Sequence, residues 1–158
     1  MHVGIFIHSQ SGHSSDMGMA ITRKLREKGH EVDILLMKPA GRVRPRKKHV
    51  EFREDVPDMS PYDAVVFGGP IWGFTASPVV SAFIKEIPSL KGKKALCFST
   101  SGAPTAISGA KGGMKKLNGL LEEIEATVIE GEAIFWGLWC SKNKIETIAQ
   151  RICEKLLK

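Results

Sequence analysis

Cysteine is scarce in this chain of 158 residues. Cys97, Cys140 and Cys153 are its only three, they form no CxxC pair, and they are too few for a four-thiolate zinc or iron-sulfur site. No metal is expected, and any redox chemistry needs a borrowed cofactor. Long apolar runs are lacking too. None approaches the ~20 residues of a membrane-spanning helix, and the opening Met1-His2-Val3 lacks the basic, apolar, small-residue order of a secretory signal. A cytoplasmic protein without membrane insertion is expected. Acidic residues are outnumbered, 17 against 23 Lys and Arg, which leaves a net charge of +6 and suits acidic or polyanionic partners. The sequence holds no HExxH, no GxSxG, no GxxxxGK[ST] and no GxGxxG, so metalloprotease, serine-hydrolase, nucleoside-triphosphatase and dinucleotide-fingerprint chemistry are disfavoured. No acidic cluster follows the first strand, as a phospho-receiver would need.

What is present is a regular alternation. Val3 to Ile7 is a continuous apolar run, as expected of a strand buried on both faces. A helix follows from Ser14 or Ser15, with Met17, Ile21 and Leu25 on one face and Gly29 at its stop. Val32 to Leu36 reads as a second strand and Asp63 to Gly68 as a third; between them residues 38–61 form a long Pro-, Gly- and Arg-rich connection with no clear helical stripe. Ser77 as cap and Pro78 at the first position open a helix carrying Val79, Val80, Phe83, Ile84 and Ile87. A fourth strand spans Lys93 to Ser99. A helix using Met114, Leu117, Leu121 and Ile124 follows, then a fifth strand over 126–136, bent at Gly131. A last helix carries Ile145, Ile148, Ala149, Ile152, Leu156 and Leu157. This pattern predicts an α/β fold, a doubly wound five-stranded parallel sheet, as one domain over residues 1–158.

Ligands of such sheets bind beyond the carboxyl ends of the strands, so the loops after strands one, three and four carry the candidate site. The first contains Ser9, Gln10, Ser11, Gly12, His13 and Ser14 and passes directly into a helix. Its hydroxyls, its glycine and the free N–H groups of a helix start form an anion cradle without a cationic side chain. A Ser-rich helix cap is the plainer alternative. The second loop, Gly69 to Ala76, includes Pro70, Ile71, Trp72, Gly73 and Phe74 and offers Trp72 as a stacking face for a flat ring; packing over the sheet end is its alternative. The third, Ser99, Thr100, Ser101 and Gly102, offers hydroxyls and open backbone. Together they ask for a phosphate, a polar spacer and a flat aromatic system, which describes riboflavin monophosphate, FMN.

On these residues the chain resembles the flavodoxin-like family. Ser9-x-Ser11-Gly12-x-Ser14 is similar to its phosphate loop, Gly68-Gly69-Pro70-Ile71-Trp72-Gly73 to its first flavin-flanking loop, and Phe98-Ser99-Thr100-Ser101-Gly102 to the entry of its second. The resemblance covers nearly the whole chain. It implies strand order 2-1-3-4-5, FMN as cofactor, and an electron carrier whose flavin, with no catalytic side chain, does the redox work. It also implies a redox partner protein, acidic given this chain's charge, of ferredoxin-like or reductase type. The chain departs from acidic carriers in being basic and in placing Tyr62 before strand three. No long insertion interrupts strand five, which matches the shorter carrier type. The glycine-rich Gly109 to Gly113 resembles family members that are NAD(P)H-dependent quinone or flavin reductases. A flavin-free binding module using the basic 38–53 stretch is a third reading; nucleic acid fits poorly, since the run holds no interleaved aromatic beyond Phe52. His8 is expected to be packed or backbone-bonded, and Cys97 to be inert.

Overall fold

The continuous apolar runs become the centre of one sheet. The computed structural model describes residues 1–137 and 140–158. In chain order the elements are β1 (His2–Ile7), α1 (His13–Glu27), β2 (Glu31–Leu36), β3 (Ala64–Trp72), β4 (Thr75–Ala76), α2 (Pro78–Lys85), β5 (Lys94–Ser101), α3 (Ala110–Glu123), β6 (Thr127–Phe135) and α4 (Lys142–Leu157). The parallel strands run in the order β2-β1-β3-β5-β6. The two-residue β4 pairs antiparallel with the end of β3. It stands outside the main order, so the expected fourth and fifth strands are β5 and β6 and the predicted order holds.

Period-2 alternation sorts the strand residues onto two cores. Val3, Ile5, Ile7, Ala64, Val66, Leu96 and Phe98 pack under α1 and α4, which supply Met17, Ile21, Leu25, Ile148, Ile152 and Leu156. Phe6, Val65, Phe67, Ala95 and Cys97 face the other way, under α2 and α3. Full burial of a ring such as Phe6, Phe67 or Phe98 contributes ~1.5–3 kcal/mol each. Ser77 caps α2 as expected, its Oγ accepting from the Val79 N–H at 3.2 Å behind Pro78.

The structure differs from the sequence reading at several boundaries. β3 runs on to Trp72 and β5 to Ser101, so Gly69, Pro70, Ile71, Trp72, Thr100 and Ser101 are strand residues rather than loop residues, and Ser99 lies inside its strand. Mixed polar runs hide this, because the pairs Gly69–Ser99 and Pro70–Thr100 are visible only across the sheet. α3 begins at Ala110, four residues before Met114, because Gly109 turns the chain into it. The bend at Gly131 is present. The β5–β6 register slips between Leu96 and Phe98, and a Cβ on Gly131 would stand 1.6 Å from the Cys97 carbonyl oxygen. The 38–61 connection forms no helix among the described residues, yet it is no free loop. Val50 and Met59 are buried in the α2 and α3 core, and Phe52 meets Phe83 edge to face at 5.6 Å.

Candidate functional site

At the carboxyl ends of β1 and β3 the chain leaves the sheet in opposite directions. β1 leads into α1 on one face and β3 leads through a hairpin into α2 on the other, which opens a crevice between them. The His8 N–H donates to the Gly68 carbonyl at 2.9 Å and carries the β1–β3 pairing one residue past β1.

The loop on the α1 side is a set of unused donors. Gly12, at φ 88°, precedes the first helical residue, and no side chain caps the helix. Among the described residues the N–H groups of Ser11, Gly12, His13 and Ser14 meet no protein acceptor. Ser9 Oγ accepts from the Ser15 N–H at 3.4 Å and so curls the loop back over the helix start. Gln10 and Ser11 are exposed and Ser14 is buried. Ser14 and Thr100 share a hydroxyl hydrogen bond of 2.8 Å, and Ser11 Oγ lies 3.3 Å from His13 Nδ1. Aligned N–H groups at the positive end of a helix dipole can hold an anion.

On the other side β3 and β4 form a hairpin with Trp72 opposite Thr75. Gly73 and Phe74 make the two-residue turn, at φ 62° and 64°. Both central residues are left-handed, as a type I′ turn requires. Glycine suits the first. Phenylalanine at the second costs of order 1 kcal/mol and holds Phe74 out at 72% exposure. Two contacts fix the turn from outside. The Arg46 Nε–H donates to the Gly73 carbonyl at 3.0 Å, and Gly109, at φ 80°, lies so close that a Cβ there would stand 1.9 Å from the Phe74 carbonyl oxygen. Trp72 is half-buried, its ring 6.0 Å from that of His8. His8 is itself packed, as expected: Nδ1 and Ser77 Oγ share a hydrogen bond of 2.7 Å, and burial lowers its pKa to about 4. At neutral pH it is an uncharged wall.

The third segment closes the crevice. Ser99, Thr100 and Ser101 are buried at the end of β5, and Gly102 is exposed. Ser101 Oγ donates to the Ala103 carbonyl. The Ser99 hydroxyl is buried with no partner among the described residues, which is uncommon in folded proteins; strand alternation puts it on the Ala95 and Cys97 face of β5, toward the α2 and α3 core and away from Thr100. The crevice thus has unpaired donors at one end and an aromatic ring at its side.

Residues 4–150 match the sequence model of the family described as Flavodoxin domain. The chain belongs to the flavodoxin family. Solved structures of the same fold include a flavodoxin of Streptococcus pneumoniae TIGR4, at 16% identity and TM-score 0.74, covering 99% of this chain and 98% of that one. A second is the two-electron reduced flavodoxin of Megasphaera elsdenii, at 22% identity and TM-score 0.68, covering 96% and 98%. A third, described as a quinone reductase of Klebsiella pneumoniae, reaches 14% identity and TM-score 0.61, covering 98% and 83%. No curated protein sequence matches the chain.

In this flavodoxin-family chain the tertiary structure adds residues that the sequence reading left out. Trp136 follows β6, donates its N–H to the Ser101 carbonyl at 2.6 Å, and stacks on His13 with ring centroids 4.8 Å apart and planes at 20°. The rule that pointed to Trp72, an aromatic at the carboxyl end of a strand, would have found it. Gly109 and Gly113 serve packing. A Cβ on Gly113 would stand 2.7 Å from the Ala76 nitrogen, so these glycines let α3 lie against the hairpin. Cys97 is fully buried, and burial pushes its thiol well above the ordinary range. No described helix is long and apolar enough to cross a membrane.

Proposed function

We propose that this chain binds FMN in the crevice between the 9–14 loop and the β3–β4 hairpin and passes electrons between partner proteins. The row of unpaired N–H groups from Ser11 to Ser14 carries the reading. A terminal phosphate accepts several such bonds at once, and each charge-assisted bond contributes more than a neutral one. Ser9, Ser11 and Ser14 add hydroxyls around the same point. Trp72 supplies an aromatic face for the same ligand. The residues present therefore fit the group. FMN, when bound, supplies one- and two-electron chemistry; the protein holds the phosphate, orients the ring and excludes water from it.

Phe74 and Ile107 are exposed at 72% and 68%, Phe74 on the hairpin that meets Gly109 and Ile107 two residues before Gly109 in sequence, and exposed apolar side chains of this kind are where a partner can approach. The net charge of +6 and the exposed Arg42, Arg44 and Arg53 favour an acidic redox partner, because complementary charge speeds encounter. Gly109 and Gly113 of the glycine-rich stretch are needed for the approach of α3 to the hairpin.

The test is the visible spectrum of the purified protein with and without added FMN, followed by NAD(P)H oxidation with a quinone. Stoichiometric FMN uptake with negligible turnover is expected. A colourless protein that takes up no FMN refutes the reading in favour of a flavin-free module. Turnover at the ~1–10³ per second usual for enzymes replaces the carrier with a reductase.

A further inference from the structure

A second concave site lies on the other side of the hairpin. Residues 46–50 of the long connection, β4, one face of α2 along its whole length and Lys116 of α3 line a groove of about 740 Å³, within the range of small-ligand sites. None of its lining residues belongs to the 9–14 loop or to Ser99–Gly102. Arg46, Lys47, Lys48, Lys85 and Lys116 line it, against one carboxylate, Glu86. Among the described residues none of these four lysines forms an ion pair. Like charges held around one concavity repel each other, and an anion between them removes that cost.

Ser81 lines the same groove. It is 4% exposed, and its hydroxyl has no hydrogen-bond partner among the described residues. A buried orphan hydroxyl beside uncompensated cations is an unused polar contact for an anion. Val50, Ala76 and Ala82 add an apolar floor, which inorganic phosphate alone would not use.

We propose that this groove binds a phosphate-bearing organic anion of nucleotide size, with its phosphates among Lys47, Lys48, Lys85 and Lys116 and its apolar part on the Val50 and Ala82 floor. This goes beyond the flavin reading and does not depend on it. The groove is wired to the crevice all the same. Arg46 lines the groove while its Nε–H holds the Gly73 carbonyl, and Thr75 and Ala76 belong to both the groove wall and the hairpin. Occupancy of the groove therefore bears on the strand that carries Trp72.

The experiment is calorimetric titration of the protein, as purified and after FMN saturation, with ADP, inorganic pyrophosphate, adenosine and a polyglutamate peptide. ADP is expected to saturate at one site under both conditions, pyrophosphate to bind more weakly and adenosine not at all. The double variant Lys85→Glu with Lys116→Glu, both exposed and away from the crevice, should weaken ADP at least about tenfold and leave FMN uptake unchanged. Ser81→Ala should weaken ADP by a smaller factor without changing the salt dependence. Absence of saturable ADP binding, or equal binding by the charge-reversed variant, overturns the proposal. Binding of polyglutamate in preference to ADP also overturns it and makes the groove a docking face for an acidic protein. Loss of FMN uptake in the parent protein would instead refute the flavin reading alone.

Discussion

The hydroxyls of Ser14 and Thr100 share a hydrogen bond of 2.8 Å across 86 residues of sequence. The first turn of α1 and the end of β5 are thereby held as one piece, so a ligand in the crevice meets a preformed wall. Ser11 has no such structural duty and is exposed at the mouth. A hydrogen bond to a charged group contributes ~1.5–3 kcal/mol, so Ser11→Ala should weaken FMN about tenfold or more while leaving riboflavin unchanged. Ser14→Ala, which also breaks the brace, should weaken both. Equal losses of both ligands in Ser11→Ala would move the phosphate to another place. Fluorescence titration of the two flavins measures this.

Trp72 stands at the end of β3 on the strained hairpin, with the His8 ring 6.0 Å away. An aromatic pair contributes about 0.5–1.5 kcal/mol beyond burial, so Trp72→Ala should raise the FMN dissociation constant about two- to tenfold and brighten bound flavin. The urea midpoint should change little, since the side chain is half-buried. Unchanged affinity and fully quenched emission would assign the covering ring elsewhere, with Trp136 the next residue to replace.

His8 couples the crevice to pH. Its folded pKa is lowered from 6.5 to about 4 by burial, so between these values the unfolded chain binds more protons than the folded one. Its contribution is fully present above pH 6.5 and is lost as the pH falls through 4, by roughly 3 kcal/mol in all. Urea melts at pH 7.5 and pH 5 should therefore show a larger acid loss for the parent than for His8→Gln. Identical losses would mean that His8 titrates normally in the fold.

Gly109 and Gly119 sit at the start and in the interior of α3 and should respond oppositely to the same change. Gly109 has φ 80° and abuts the Phe74 carbonyl, whereas nothing lies within 4 Å of a Cβ on Gly119. Gly109→Ala should destabilise by more than ~1 kcal/mol and loosen FMN by displacing the hairpin. Gly119→Ala should stabilise by roughly 0.5–1 kcal/mol. Chemical denaturation of both variants checks the signs; a neutral Gly109→Ala would show that the hairpin does not rest on α3.

Much of this protein is local, and local features are written in residue order. Val3 to Ile7 is apolar throughout because a central parallel strand is buried on both faces. Ser77-Pro78 starts a helix because the serine accepts a backbone N–H and proline needs none. The Ser9 to Ser14 segment carries its hydroxyls and helix-start donors within six consecutive positions, so this cluster of polar groups was legible from sequence. Contacts that join distant segments were not. The brace from Ser14 to Thr100, the stack of Trp136 on His13, and the seat of the hairpin against Gly109 each depend on how strands and helices stack. Nor does composition show that the basic 38–53 run packs Val50 and Phe52 inward and sets Lys47 and Lys48 along the groove with α2 and α3. Residue order sets which groups exist and the period with which they recur; only burial of both sheet faces decides which of them come within bonding distance.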